Sequence, residues 1–448
     1  MGELKNGIAL HMVLYGTYNE GKYFLQDFNS SYDLVAFNAN IISHSPDTVA
    51  GFLASLRNKN YLIDPQLYAF QLSPKHIRKK DKSLKNSVSK LSNYYGGIIK
   101  EIAGKDKLQI QLLDNQNIKE IAINSLDFQY NVIFNAAQRL AEWEFLEFVG
   151  EELRPSFLVS PAFYINQDQI SEILDINFKL FAFGLEVSKT RFNNHPLYMQ
   201  LVIQKEILLQ NNLIENILQA VNRVNFDGIL LWIENFSELT ADERYLESYL
   251  YFLNSLSSLN KPIILMRGSF FSIIISGQTN YLCGVGHGIE YGESREIAPI
   301  GGGLPTAKFY FPNYYQRVNY NPDAQDILLE LEIIRGKENY FKNICNCPMC
   351  QKIITDDIQL SFQEYGETKI SPKNGRAFPT GKAQNKSRHH YLYAKNSEYE
   401  FVKKNNLTAI ITKLSGSQKQ LENLNPEHDF SHIQRWINVL NKHSSAFH

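Results

Sequence analysis

Three of the chain's four cysteines, Cys345, Cys347 and Cys350, fall within six positions in the stretch NICNCPMCQK. A C-x-C-x-x-C run lets three thiolates converge on one ion from a tight turn, and Pro348 inside it favours such a turn. Zinc takes four ligands, so a fourth must come from farther along, and SRHHYLYAK offers His389 and His390. Cys283 is a poor ligand because it lies in an apolar run that reads as a buried strand. An iron–sulfur cluster would need another cysteine, and the C-x3-C-x2-C spacing of radical chemistry is absent. The plain alternative is free thiols without metal, which so tight a cluster argues against. Four protein ligands leave no open coordination position, so the zinc is expected to be structural and to fasten an appended segment.

The elements that would carry this cluster are legible as short apolar runs alternating with stretches of helical spacing. The runs are 33–42, 60–70, 156–165, 197–207, 226–236, 261–269, 280–292 and 307–312. Segments such as IQKEILLQNNLIENILQAVNRV and ERYLESYLYFLNSLSSL between them repeat apolar residues every three or four positions. Eight strands alternating with helices predict a parallel sheet closed into a (β/α)8 barrel, with a doubly wound open sheet as the other arrangement. The barrel is expected over 1–335, with a basic helical insertion at about 73–150, and a zinc-binding and C-terminal helical subdomain over 336–448.

Active sites of such barrels sit at the C-terminal ends of the strands. Asp64, Gln204, Glu206, Glu234, Arg267, His287 and Glu290 fall at or near such ends. Acids around a mouth can divide into a raised-pKa acid and an ionised partner, and a histidine titrates near neutrality. Helix caps, salt bridges or plain exposure are the ordinary roles for each. The glycine-rich stretch GVGHGIEYGESREIAPIGGGLP lacks a nucleotide-binding fingerprint and reads instead as a loop at the mouth.

The chain has 448 residues with 45 Lys and Arg against 46 Asp and Glu, a balance that by itself selects no partner. Two stretches are nevertheless basic, Ser73–Lys90 and Lys369–Lys404, the second with loop-forming Gly, Pro and Asn at its start. Such charge asymmetry suits an anion-binding surface, although a solvated lysine face is the simpler explanation. No secretion signal and no run long enough to span a bilayer is visible, so the expectation is a cytoplasmic protein without membrane contact.

A barrel followed by C-x-C-x-x-C and a distant histidine resembles the tRNA-guanine transglycosylase family, including relatives that place 7-deazaguanine in DNA. The family's zinc histidine opens an H-N-L motif, which His390-Tyr391-Leu392 matches better than His389 does, across a longer gap from Cys350 than is usual. Its catalytic Asp is matched by Asp64 in YLIDPQLYAF, its base-reading Gln by Gln204 in LVIQKE, and its P-x-Y-L-M-G-V-G segment by KPIILMRGS. The family's nucleophilic Asp lies in F-D-C, where YLCGVGHG places Leu282; Glu290 and Glu293 in GIEYGESRE are the nearest acids. The resemblance implies binding of tRNA or DNA and exchange or recognition of a guanine or 7-deazaguanine base by attack at the N-glycosidic bond. Asp64, Glu290 and His287 would be catalytic, Gln204, Glu206, Glu234 and Arg267 would bind substrate, and Cys345, Cys347, Cys350 and His390 would hold zinc. It also implies a homodimer or larger assembly. A non-catalytic nucleic-acid-binding scaffold that has lost the nucleophile is the alternative.

Overall fold

The computed structural model describes residues 9–15, 25–56, 59–105, 108–142, 153–289, 293–297, 306–333, 335–371, 375–422, 424 and 428–447. Eight parallel strands, β1 (Leu10–Tyr15), β2 (Leu34–Asn38), β3 (Asn60–Asp64), β4 (Leu158–Val159), β5 (Leu197–Gln204), β6 (Gly228–Glu234), β7 (Ile263–Leu265) and β8 (Gly284–Gly288), hydrogen-bond in the order β3-β2-β1-β8-β7-β6-β5-β4. The two ends of that order meet where the Ser156 amide donates to the Tyr61 carbonyl at 2.8 Å. The sheet is a (β/α)8 barrel, wound by the helices α1 (Pro46–Ser55), α2 (Asn115–Glu142), α3 (Ile170–Arg191), α4 (Asn211–Val221), α5 (Glu243–Ser257) and α6 (Phe270–Gln278).

Alternation along the strands sorts side chains between two cores. Met12, Leu34, Leu62, Val202, Leu230 and Met266 belong to a cluster inside the barrel, while Val13, Val35, Ile63, Leu201, Leu231 and Val285 pack outward against the helices. On β8 the inward position is Gly286, where a Cβ would come within 2.5 Å of both Met12 Cε and the Met266 carbonyl oxygen. Burial on both faces explains the nearly continuous apolar runs that made these strands readable.

Two strand assignments change. Leu10–Tyr15, part of a short apolar run near the N-terminus, is a barrel strand, pairing with both β2 and β8. The run at 307–312 is not: β9 (Lys308–Phe311) pairs antiparallel with β10 (Gln316–Asn319), a partner a few residues away that a short apolar segment reaches by a local turn. Within the expected insertion at 73–150, α2 is a ring helix packed between α1 and α3, so part of that stretch is barrel wall.

Beyond β10 come α7 (Pro348–Ile353), the hairpin β11 (Thr368–Ile370) and β12 (Ala377–Pro379), α8 (Gly381–Lys404), α9 (Leu407–Leu421) and α10 (His432–Lys442). Lys369–Lys404, expected to stay outside the core, is therefore mostly helix. One face of α8 buries His390, Tyr391, Leu392, Lys395, Glu398, Tyr399 and Val402. Its charged composition hid this because two of the charges neutralise each other inside. α8 lies against α6, where Gly277 leaves room for Val402 (a Cβ at 277 would meet Val402 Cγ1 at 2.2 Å), and it covers the outer face of β8 and β1. It occupies the place of the helix that would follow β8. α10 returns to α5, with the Trp436 indole N–H donating to the Glu238 carbonyl at 3.0 Å. A single outer core thus continues across residue 335, the boundary expected from sequence. Among the described residues, no helix is long and apolar enough to cross a membrane.

Candidate metal centre and barrel mouth

Cys345, Cys347, Cys350 and His390 bring one ligand atom each to within 4.8 Å of one another, a cluster able to hold a metal ion. Cys347 caps α7: its thiol accepts from the Cys350 amide at 3.4 Å, and Pro348 takes the first helical position, where no amide is needed. The Cys345 thiol accepts from the Cys347 amide, also at 3.4 Å. His390 comes from the middle of α8. Its Nε2 donates to the Tyr310 carbonyl at 2.7 Å, which fixes the tautomer and turns Nδ1 toward Cys347 (3.5 Å) and Cys350 (3.3 Å). Phe309 stacks on the imidazole, and the hydroxyls of Tyr365 and Tyr340 lie 3.2 and 3.4 Å from Cys350 Sγ. All four residues but Cys345 are buried, and with this supporting shell the set could hold a metal ion inside the protein. Cys283 stays apart: its amide and carbonyl bond Ile263 and Leu10 in the barrel ladder, and burial pushes its thiol up to about 12.

At the C-terminal mouth Asp64 ends β3. Its carboxylate accepts from Tyr68 Oη at 2.6 Å, Gln200 Nε2 at 2.7 Å and the Gln66 amide at 3.2 Å. Burial raises its pKa above the ordinary carboxylate value, against the pull of those bonds, which suits an acid that gives and takes a proton. Arg267 follows β7 and lies over the Trp232 ring, 5.5 Å from its centroid; Tyr68 packs edge-on to the same ring. Glu234 ends β6 and accepts from Tyr164 Oη at 3.4 Å; burial raises its pKa, and the charges of Glu296 and Glu206 add to the rise. The Asn235 amide donates to Arg295, so segment 293–297 passes over this rim.

Other expected site residues stand elsewhere. Gln204 accepts from the Gln167 amide at 3.0 Å and ties down the chain beyond β4. Glu206 lies in the turn after β5, its side chain 40% exposed beside Lys205. Glu290 lies outside the described residues. His287 departs from its expected catalytic place: odd-numbered positions of β8 face outward, and His287 sits beneath α8. There His11 Nδ1 donates to the Ser31 carbonyl at 2.7 Å, the His11 and His287 Nε2 atoms are 2.6 Å apart, and Tyr391 Oη is 3.2 Å from His287 Nδ1. Tyr391 donates to Glu293 at 2.9 Å, and Lys395 bridges Glu293 (3.4 Å) and Glu398 (3.0 Å). Burial holds both histidines neutral, His11 down to about 3. Leu282 also lies away from the mouth. It precedes β8 at the opposite end and is 2% exposed, so no residue at that position faces the mouth and its identity says nothing about a nucleophile.

Tyr68, Gln200, Trp232 and Arg295 escaped the sequence reading. For Gln200 and Trp232 the signal was parity: each shares its strand's inward register with Val202 or Leu230, and a polar atom at such a position points into the lumen.

No family model matches the chain, and no curated protein does either. Among solved structures the chain is similar to TsXylA, an intracellular xylanase from Thermoanaerobacterium saccharolyticum JW/SL-YS485, at 10% identity and a TM-score of 0.33, covering 58% of this chain and 74% of that one. A likeness of that size carries no functional argument. Fold and site together define a (β/α)8 barrel whose wall is completed by a helix anchored at a Cys3His cluster.

Proposed function

We propose that this chain is a zinc-stabilised barrel enzyme of the tRNA-guanine transglycosylase kind, binding nucleic acid and exchanging a guanine or 7-deazaguanine base at the N-glycosidic bond. The observation that carries the reading is the Cys3His cluster on the segment that completes the barrel, the arrangement through which the sequence resembles that family. Zinc fits the donor set: tetrahedral bonds of about 2.3 Å to sulfur and about 2.0–2.1 Å to nitrogen separate S and N ligand atoms by roughly 3.5 Å, and the separations here are 3.5 and 3.3 Å. Asp64 supports a catalytic role at the mouth, as the group that protonates the departing base and deprotonates the incoming one. Glu290 remains the proposed nucleophile. Nucleic-acid binding rests on the exposed lysines of the two basic stretches, such as Lys80 and Lys382. Lys386 contributes less because it is paired with Glu364.

The test is incorporation of labelled guanine or a 7-deazaguanine into tRNA and into duplex DNA by zinc-loaded protein. Incorporation into one polymer, abolished by Asp64→Asn and by Glu290→Gln with polymer affinity retained, is the expected result. No incorporation into either, with the polymers still bound, would replace the enzyme reading by the scaffold one.

A further inference from the structure

The barrel mouth holds buried donors that no described residue satisfies. Arg267 Nε and Nη1 and Trp232 Nε1 are each shielded from solvent without a hydrogen-bond partner among the described residues. Trp232 as a whole is 3% exposed, so its N–H cannot turn to water, and an indole N–H left unpaired in such a place costs free energy. Asp64, whose charge also acts on Arg267, is already engaged: it receives three hydrogen bonds, from Tyr68, Gln200 and the Gln66 amide. One acceptor, Gln200 Oε1, is also orphaned. Donors therefore outnumber acceptors at this spot, and a second guanidinium, Arg295, is close enough for its charge to depress the proton affinity of Arg267 after burial itself.

Like charges crowded beside buried donors call for an anion. The two arginines follow β7 and β8, and the loops after the seventh and eighth strands are where barrels of this class commonly hold phosphate. The amide-rich start of α6 is not the holder: the Ser269 and Ser272 amides already donate to Glu238, at 3.0 and 3.1 Å. Side chains must do the work, and a planar guanidinium beside an indole N–H suits tetrahedral phosphate oxygens.

We propose that the barrel mouth is a phosphate-binding site, in which Arg267 and Trp232 Nε1 donate to the oxygens of a phosphate group and Arg295 supplies the second positive charge. Resting on the base-exchange reading, that phosphate is the one attached to the sugar whose glycosidic bond lies beside Asp64. The protein would then prefer a phosphorylated nucleoside to a bare one.

Binding of guanosine 5′-monophosphate, guanosine and inorganic phosphate to the zinc-loaded full chain, measured by calorimetry, tests this. The monophosphate should bind about tenfold or more tightly than guanosine, the size of effect that charge-assisted hydrogen bonds confer. The difference should vanish in Arg267→Gln and shrink severalfold in Trp232→Phe, which keeps a ring and removes only the donor. Arg267→Lys, which retains the charge, should fall between, and it stands in if Arg267→Gln does not fold. Equal affinity for monophosphate and guanosine in the wild type, or a difference that survives at position 267, overturns the site. Inorganic phosphate bound in an Arg267-dependent way without any nucleoside binding would uphold the site and count against the base-exchange reading.

Discussion

Two buried polar regions of this barrel lie on opposite sides of the same wall and obey different rules. Under α8, His11, His287, Tyr391, Glu293, Lys395, Glu398, Tyr310 and Tyr399 all have hydrogen-bond or charge partners within the chain. At the mouth, Arg267, Trp232 and Gln200 keep atoms that are shielded from water and have no hydrogen-bond partner among the described residues. A network whose residues are paired with one another holds structure together, whereas buried donors left unpaired are a cost that a ligand can remove. The sequence offered His287 and Arg267 as equals, both polar and both near the end of a strand. His287 lies within β8 at an outward position under α8, whereas Arg267 lies beyond the end of β7, over the Trp232 ring.

The largest effect should come from the metal. A structural zinc supplies on the order of 10 kcal/mol of apparent binding energy to folding, comparable with the whole stability of a domain. Cys347→Ser, or a strong chelator, should therefore release zinc and undo α8 with the seam it covers. Metal analysis at one zinc per chain and loss of helical circular dichroism on chelation check this together; full helicity without metal would leave the cluster incidental.

Next comes Lys395, whose side chain is fully buried between two carboxylates. Burial opposes the charge on both. At Glu293 the cations Lys395 and Arg317 outweigh it and hold the carboxyl below its usual pKa, while Glu398 stays above. Lys395→Met strands both acids, and breaking a buried pair this way costs about 3–5 kcal/mol. Urea unfolding measures it. His287→Gln should cost less, about 1–3 kcal/mol for the stranded partners, with nucleoside binding unchanged. A His287 variant that folds as well as wild type but cannot exchange bases would restore the catalytic role that its position denies.

The pH dependence follows with its sign. His11 is held neutral in the fold, down to about 3, against an ordinary 6.5. Between those values the unfolded chain binds the proton and the folded one does not. The contribution to stability is whole above about pH 6.5 and is lost as pH falls, by about 1.4 kcal/mol per pH unit for one such histidine. Melting temperatures measured from pH 7 down to about pH 5 should decline, and His11→Gln should decline less steeply.

Much of this was legible from sequence, and the exceptions have physical causes. Seven barrel strands announced themselves because both of their faces are buried; β1 was passed over because its six residues stand near the N-terminus with no clear helix pattern after them. The run at 307–312 looked equally apolar, and periodicity cannot distinguish a barrel strand from a hairpin strand. The metal ligands were readable because thiol spacing is itself chemistry. α8 was not, since Lys395 and Glu398 are recognisable as core residues only when Glu293, about a hundred positions away, is seen to meet them.

The comparison is tested most directly by placing Arg267→Gln beside Lys395→Met in the same unfolding experiment. The account predicts that the mouth substitution, which removes unpaired donors and one of two crowded charges, stays within about 1 kcal/mol of wild type or exceeds it, while the seam substitution loses about 3–5 kcal/mol. Equal losses at both positions would mean that Arg267 is as structural as Lys395, and that the mouth is not a site kept open for a ligand.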